Sequence, residues 1–202
     1  MQKAASNKQA YKKNLDREAG QKSEDILIAS PEATVSLTKD VDIVSLILKD
    51  HKPLKKLIKI MKDVDENLSK RKEAFAEFAP LLVAHAKSEE KILYVFMKKE
   101  AELRRDGLEG DVEHGLADQL VEEAKRTDDE DWWSARVKVL AELVEHHIEE
   151  EEDTILPDFK KKCKISERKE LGGYYLNVKA KIESRGSDDA PPERRLRDNM
   201  AH

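Results

Sequence analysis

The chain has 202 residues, of which 40% are charged and 5% aromatic, with seven glycines, six prolines and a net charge of -5. This composition favours long helices with solvated outer faces over a strand-rich fold. Interspersed charges argue against a nucleic-acid partner, and the lack of a run of about 18 apolar residues argues against a membrane span. The single Cys163 and the missing apolar leader predict a reduced cytoplasmic location.

The N-terminal part, residues 1–38, is polar and is predicted to be a partly disordered extension. A helix is predicted over about 39–63, because apolar residues recur at spacings of three and four. Pro53 predicts a kink just after His51. The inward stripe comprises Val44, Ile47, His51, Leu54, Ile58 and Met61.

A second helix is predicted over about 68–99, after Asn67 as a candidate N-cap. Pro80 predicts a bend one turn before His85. The stripe comprises Phe75, Phe78, Leu82, His85, Glu89, Ile92 and Phe96.

The linker "RRDGLEG" is predicted to precede a third helix over about 111–126, which carries His114 on its inward side. The segment "TDDE" (127–130) resembles a capping box and is predicted to open a fourth helix that runs to about 161. Pro157 bends or ends that helix. Its stripe comprises Trp133, Val137, Leu140, Val144, His147, Glu151 and Ile155.

Four long helices with short connections predict an all-α fold, an antiparallel up-down four-helix bundle over residues 39–184. A further helix over about 165–185 is expected to pack across one end. The remaining residues, 185–202, read as a disordered tail.

An internal repeat links the second and fourth helices. The pairs His85–Glu89 and His147–Glu151 share the spacing His-x-x-x-Glu at an offset of 62 residues, and His51 precedes His85 by 34 residues as His114 precedes His147 by 33. Residues four apart share a helical face, so the bundle core is predicted to receive four imidazoles and two carboxylates. Unpaired carboxylates in a core are costly, and two metal ions would satisfy all six groups.

The alternative frame for the fourth helix pairs His146 with Glu150. It places Arg136 opposite the inward Phe75, so His147 is the preferred ligand. Nitrogen and carboxylate ligands with vacant positions suit non-haem iron, with manganese as the second choice, whereas structural zinc usually takes a closed tetrahedral set.

The segments "LKDHKPLKKLI", "AHAKSEEKILY", "EHGLADQLVEE" and "LVEHHIEEEEDTILP" together resemble the hemerythrin (HHE cation-binding) family over about residues 39–184. The resemblance implies two oxo- or hydroxo-bridged iron ions. It implies that His51 and His85 bind one iron and that His114 and His147 bind the other. Glu89 and Glu151 would bridge the two irons, and dioxygen or another small ligand would take a vacant position.

Oxygen-carrying hemerythrins have a second histidine one turn after the ligand of the third helix, where this sequence has Asp118. Asp118 is either a further ligand, a hydrogen-bond partner of one, or an ordinary polar residue. Glu113 is either a solvated surface residue or part of the access route. The sequence is similar to bacterial single-domain relatives. It therefore predicts a dioxygen carrier, buffer or sensor, or alternatively a di-iron oxidoreductase or iron-donating repair protein that responds to nitric oxide or peroxide.

Other polar residues near the motifs are given ordinary roles. Glu90, Glu149 and Glu152 are predicted to be solvated. Tyr94 is assigned to the core or its rim, with an approach to the metal pocket as the alternative. No catalytic residue and no protein partner are predicted.

Overall fold

The computed structural model describes residues 41–188, which are helical apart from short connections and contain no strand. The predicted extension and most of the predicted tail lie outside these residues. In the described part, no helix is long and apolar enough to cross a bilayer. The helices are α1 (Ile43–Lys62), α2 (Leu68–Lys91), α3 (Leu93–Met97), α4 (Arg104–Lys125), α5 (Glu130–Glu150), α6 (Leu156–Lys162) and α7 (Ile165–Asp188), with a π-helical turn (Glu151–Ile155) between α5 and α6.

Four of these helices form a closed ring, in which α1 packs against α2 and α5, and α4 packs against α5 and α2. Lys55 pairs with Glu152 and Lys62 with Glu145, so α1 and α5 run in opposite directions. The predicted all-α bundle is therefore confirmed, together with its additional C-terminal helix.

The additional helix α7 packs against α1 and α2, so it covers one face of the bundle instead of crossing its end. A Cβ added at Gly172 would lie 1.9 Å from the backbone oxygen of Val41, which shows how closely α7 approaches the start of α1. Arg168 pairs with Asp42 at 2.8 Å and fastens the same contact.

Three helices begin at capping side chains. Asp42 accepts a bond from the backbone N–H of Val44, and Asn67 accepts from the second and third residues of α2, as predicted. The prediction of a capping box at Thr127 is wrong. Asp129 caps α5 instead, while the Thr127 hydroxyl donates to the carbonyl of Glu123 at 2.6 Å.

The third long helix begins at Arg104, seven residues before its predicted start, because the segment "RRDGLEG" is helical. Its glycines serve close packing and not a loop. A Cβ at Gly110 would lie 2.5 Å from the ring of Tyr94, so only glycine leaves room for that ring. The prediction of a linker over this segment is therefore wrong, because glycine marks close packing as well as turns.

The apolar core fills the half of the bundle away from α3. Its buried members on four helices are Leu54, Leu57, Ile58, Met61, Ala74, Phe75, Phe78, Ala79, Leu82, Ala117, Val121, Ala124, Trp133, Val137, Leu140, Ala141, Val144 and Ile148. These side chains continue the predicted inward stripes, so the same periodicity that buries them points the histidines inward at the other half.

Candidate metal centre

The six predicted ligands converge next to this core. None of the six residues is more than 3% exposed. One histidine comes from each of the four helices, and the two glutamates stand one turn after the histidines of α2 and α5. The members are His51, His85, Glu89, His114, His147 and Glu151.

The ligand atoms fall into two groups that share a carboxylate. His51, His85, Glu89 and Glu151 form one group, and Glu89 with His114 and His147 forms the other, each with its ligand atoms within 4.8 Å of one another. The division matches the predicted pairing of the histidines. Both groups are clusters of buried nitrogen and oxygen donors of the kind that hold metal ions.

Both glutamates face histidines from both groups. One oxygen of Glu89 lies 3.3 Å from Nε2 of His85 and 3.6 Å from Nε2 of His114. Glu151 lies 3.2 Å from Nε2 of His51 and 3.7 Å from Nε2 of His147. Each carboxylate therefore lies between histidines of the two groups.

Several of these atoms make no hydrogen bond. Nε2 of His51 and of His85, both oxygens of Glu89 and one oxygen of Glu151 are buried without a hydrogen bond. Unpaired buried polar groups destabilise the folded state, so a cation bound between them would stabilise it. The donor set therefore fits a pair of metal ions.

The two glutamates stand at irregular turns of their helices. After Glu89, the backbone leaves the regular α2 helix at Ile92. At Glu151 a π-helical turn begins, and the N–H of Leu156 bonds the carbonyl of Glu151 five residues earlier. Pro157 provides no N–H for the next bond, which favours the widened turn.

Tyr94 is buried and lies inside the ligand set, which is the alternative to the predicted position in the core or at its rim. Its hydroxyl donates to Glu151 at 3.1 Å and lies 3.3 Å and 3.2 Å from Nε2 of His114 and His147. Metal–nitrogen bonds of about 2.1 Å give edges of about 3 Å between neighbouring ligand atoms. The phenol oxygen thus stands where a further ligand of the second group would stand.

The outward nitrogen of each histidine faces a carboxylate or, for His85, the hydroxyl of a tyrosine. Nδ1 of His51 lies 3.0 Å from Glu152, which is paired with Lys55 at 2.8 Å. Nδ1 of His85 lies 3.2 Å from the hydroxyl of Tyr175 in α7. Tyr175 in turn donates to Asp50 at 2.8 Å, and Asp50 is paired with Lys179 at 2.5 Å.

The second group repeats this arrangement. Nδ1 of His114 lies 3.5 Å from Glu90 without a hydrogen bond, and Glu90 pairs with Lys87 at 2.8 Å. Nδ1 of His147 lies 2.6 Å from Glu113. Carboxylates behind ligating histidines fix the orientation of the ring and raise its basicity. We call Asp50, Glu90, Glu113 and Glu152 the outer carboxylates.

The charges of the centre set its titration. Burial, and then the charge of Glu151, raise the pKa of Glu89 well above its ordinary value. Burial alone would raise the pKa of Glu151, but His147 and His51 outweigh it and lower that pKa to about 2. Burial, and then His51, lower the pKa of His85, which keeps its imidazole neutral and ready to bind metal.

A family model of the hemerythrin HHE cation-binding domain matches residues 42–159, more than half of the chain. The chain belongs to the hemerythrin HHE cation-binding family. Curated proteins and solved structures give no match to the chain. All six candidate ligands and Tyr94 lie within the matched residues, whereas α7, which presents Tyr175 to His85, lies beyond them. The family and the two buried groups together show a metal-binding protein.

The hemerythrin domain holds a small cavity beside the second group, between α2, α4 and α5. Its polar wall includes His114, His147 and Glu113, and its apolar wall includes Ala117 and Leu143. Glu113 and Leu143 are partly exposed, so the cavity reaches toward solvent. The prediction that Glu113 lines the access route agrees with this position.

The remaining sequence predictions have mixed outcomes. Asp118 lies outside both groups and pairs with Lys87 at 2.5 Å, so the structure does not bring it to the centre. The prediction that Glu90 and Glu152 are merely solvated is wrong, since both face ligand histidines. Glu149 is exposed, as predicted.

Proposed function

We propose that this hemerythrin-family chain is a non-haem di-iron protein that binds dioxygen or a related diatomic as a carrier, buffer or sensor. The observation that supports it best is the pair of buried donor groups that share Glu89. Imidazole and carboxylate donors without thiolate suit iron, with manganese as the second choice. When bound, the iron pair would supply vacant positions for a diatomic and electrons to reduce it.

The chain's own residues would hold, orient and shield this pair. The four imidazoles would bind through Nε2, because their Nδ1 atoms face the outer carboxylates or Tyr175. The apolar wall of the cavity, which includes Ala117, Leu143 and Val144, offers a small neutral molecule an apolar surface beside the second group. A reduced cytoplasmic setting, in which Cys163 stays a free thiol, would also keep the iron ferrous.

The test is anaerobic reconstitution with ferrous iron, followed by metal analysis and an optical titration with dioxygen. We expect about two irons per chain and charge-transfer bands in the near ultraviolet after exposure to dioxygen. His114→Ala should lower the iron content, whereas the exposed Glu149→Ala should leave it unchanged. A chain that takes up no iron under these conditions would refute the proposal.

A second function, a di-iron oxidoreductase or iron-donating repair protein that responds to nitric oxide or peroxide, is favoured by one observation. The hydroxyl of Tyr94 lies among the ligand atoms of the second group, whereas Asp118 is held away by Lys87. An anionic oxygen donor stabilises ferric over ferrous iron, which weakens reversible carriage and favours redox turnover.

Stopped-flow mixing of the reduced protein with dioxygen and with nitric oxide separates the two functions. A spectrum that reverses when the gas is removed supports carriage, whereas turnover supports the enzyme. Tyr94→Phe should make the oxidised protein easier to reduce if the phenol is a ligand. Neither function survives if neither gas perturbs the spectrum of the iron-loaded protein.

A further inference from the structure

Lysine ammonium groups neutralise three of the four outer carboxylates. Glu152 pairs with Lys55 at 2.8 Å. Asp50 pairs with Lys179 at 2.5 Å, and Glu90 pairs with Lys87 at 2.8 Å. A lysine charge therefore lies on each of these three routes from the surface to the metal centre.

Glu113 is the exception. Within the described residues, no lysine or arginine pairs with Glu113 or with Glu150. Instead, Glu113 meets His146 and Glu150, and the three ligand atoms lie within 4.8 Å of one another. His146 and Glu150 are one turn apart on α5, and Glu113 reaches them from α4. Two carboxylates and an imidazole thus converge on the route beside Glu113, whereas each of the other three routes carries a lysine ammonium group.

We propose that Glu113, His146 and Glu150 form a third, outer site for a divalent first-row transition-metal ion, from which metal enters the buried centre. The entry role rests on the proposed di-metal function, whereas the outer site itself does not. One imidazole with two carboxylates is a donor set for Fe²⁺, Mn²⁺, Co²⁺ or Zn²⁺. His146 is exposed and the two glutamates are partly exposed, so an ion can arrive from solvent with part of its water shell.

The position of Glu113 connects the outer site to the centre. Its carboxylate contacts Nδ1 of His147 at 2.6 Å and also lines the cavity that His114 and His147 border. An ion that leaves the outer site therefore meets the donors of the second group next.

Electrostatics favours this entry over the other three. An incoming cation is repelled by Lys55, Lys87 or Lys179 at the other outer carboxylates, whereas Glu113 and Glu150 attract it. Clefts lined by charge of one sign raise the association rate of an oppositely charged ligand by about 10-fold or more. The missing lysine thus marks the side on which metal is loaded.

The experiment uses the full chain, stripped of metal, and Co²⁺ under anaerobic conditions as an optical probe of coordination. For the wild type we expect three ions per chain, the third bound more weakly. The double variant His146→Gln/Glu150→Gln should bind two, and its buried centre should fill about tenfold more slowly at low Co²⁺ concentration. The control is Glu149→Gln, an exposed glutamate of the same helix, which should behave as the wild type.

A third ion that persists in the double variant overturns the proposal, and so does a loading rate equal to that of the control. The first result would leave the three residues a solvated surface cluster, and the second would leave them without a role in metal entry. Thermal unfolding of the metal-free variants guards against misfolding, and we expect melting temperatures equal to that of the control. A wild type that binds one ion, lost in the double variant, and none at the buried residues would refute the proposed di-metal function instead.

Discussion

Replacing Glu89 by methionine should stabilise the metal-free protein, although Glu89 is completely buried. Both oxygens of Glu89 lack a hydrogen bond at 0% exposure, so the carboxylate costs the fold free energy when no cation is bound. Methionine has a similar unbranched length and adapts to the surrounding space. The substitution therefore removes an unsatisfied group without leaving a cavity.

The magnitude follows from the two orphaned oxygens. Each unsatisfied buried group costs about 1–3 kcal/mol, and slight overpacking by the longer side chain offsets part of the gain. We expect the free energy of unfolding of Glu89→Met to rise by about 1–3 kcal/mol. For a chain of this size that is roughly 3–10 °C in melting temperature.

The gain should depend on pH in a definite direction. Burial and Glu151 raise the pKa of Glu89 above its ordinary value of 4.5, so the folded state binds this proton more tightly than the unfolded state. The metal-free wild type therefore loses stability as pH rises from 4.5 toward the raised pKa. Glu89→Met lacks this loss, so its advantage should grow over the same range.

The assay is urea unfolding of the chelator-treated wild type, Glu89→Met and the exposed control Glu149→Met, at pH 5 and pH 8. The control should stay within about 0.5 kcal/mol of the wild type. With saturating Co²⁺ the order should reverse, because metal stabilises the wild type by its binding free energy and the variant by less. A metal-free Glu89→Met that is less stable than the wild type would refute the reasoning.

Gly110→Ala places a Cβ 2.5 Å from the Tyr94 ring and should cost about 1–3 kcal/mol, whereas Gly115→Ala in the same helix, with nothing within 4 Å, should gain roughly 0.5–1 kcal/mol. Equal effects in urea unfolding would contradict the close approach of Tyr94. Burial raises the pKa of Cys163 to about 12. A thiol reagent at pH 8 should therefore label Cys163 only after unfolding. Fast labelling of the folded chain would contradict this burial. Gly172→Ala meets a backbone oxygen at 1.9 Å and should lower the melting temperature by roughly 4–8 °C, and an unchanged value would contradict the contact between α7 and α1.

The positions of the six candidate ligands could be predicted because their signal is local. A histidine on the apolar stripe of a long helix points where the stripe points, so four such stripes place four imidazoles in one core. The choice of His147 over His146 rested on the same periodicity. The structure places His147 in the second group and leaves His146 exposed.

Tyr94 and the start of α4 could not be predicted from that periodicity. The backbone leaves the regular α2 helix at Ile92, so the stripe of α2 no longer indicates where Tyr94 points. Gly110 is a loop signal by composition, yet it is needed because another helix approaches it closely. Both features depend on contacts between helices, which no single stretch of sequence records.

The outer carboxylates could have been predicted, because each is the immediate sequence neighbour of one of the six candidate ligands. Asp50 precedes His51, and Glu113 precedes His114. The other two are Glu90 and Glu152, which directly follow the two inner glutamates. Neighbouring residues on a helix point about 100° apart, so an acid beside an inward ligand points sideways at the next helix.

The outer carboxylates face the histidines in a cyclic order around the bundle. Asp50 of α1 serves His85 of α2 through Tyr175, and Glu90 of α2 faces His114 of α4. Glu113 of α4 then faces His147 of α5, and Glu152 of the π-helical turn closes the cycle at His51 of α1. Each helix thus supplies a donor to the centre and the acid that orients its neighbour's donor. Loss of one helix contact would therefore disturb two ligands at once, so formation of the metal centre and closure of the bundle should be one cooperative event.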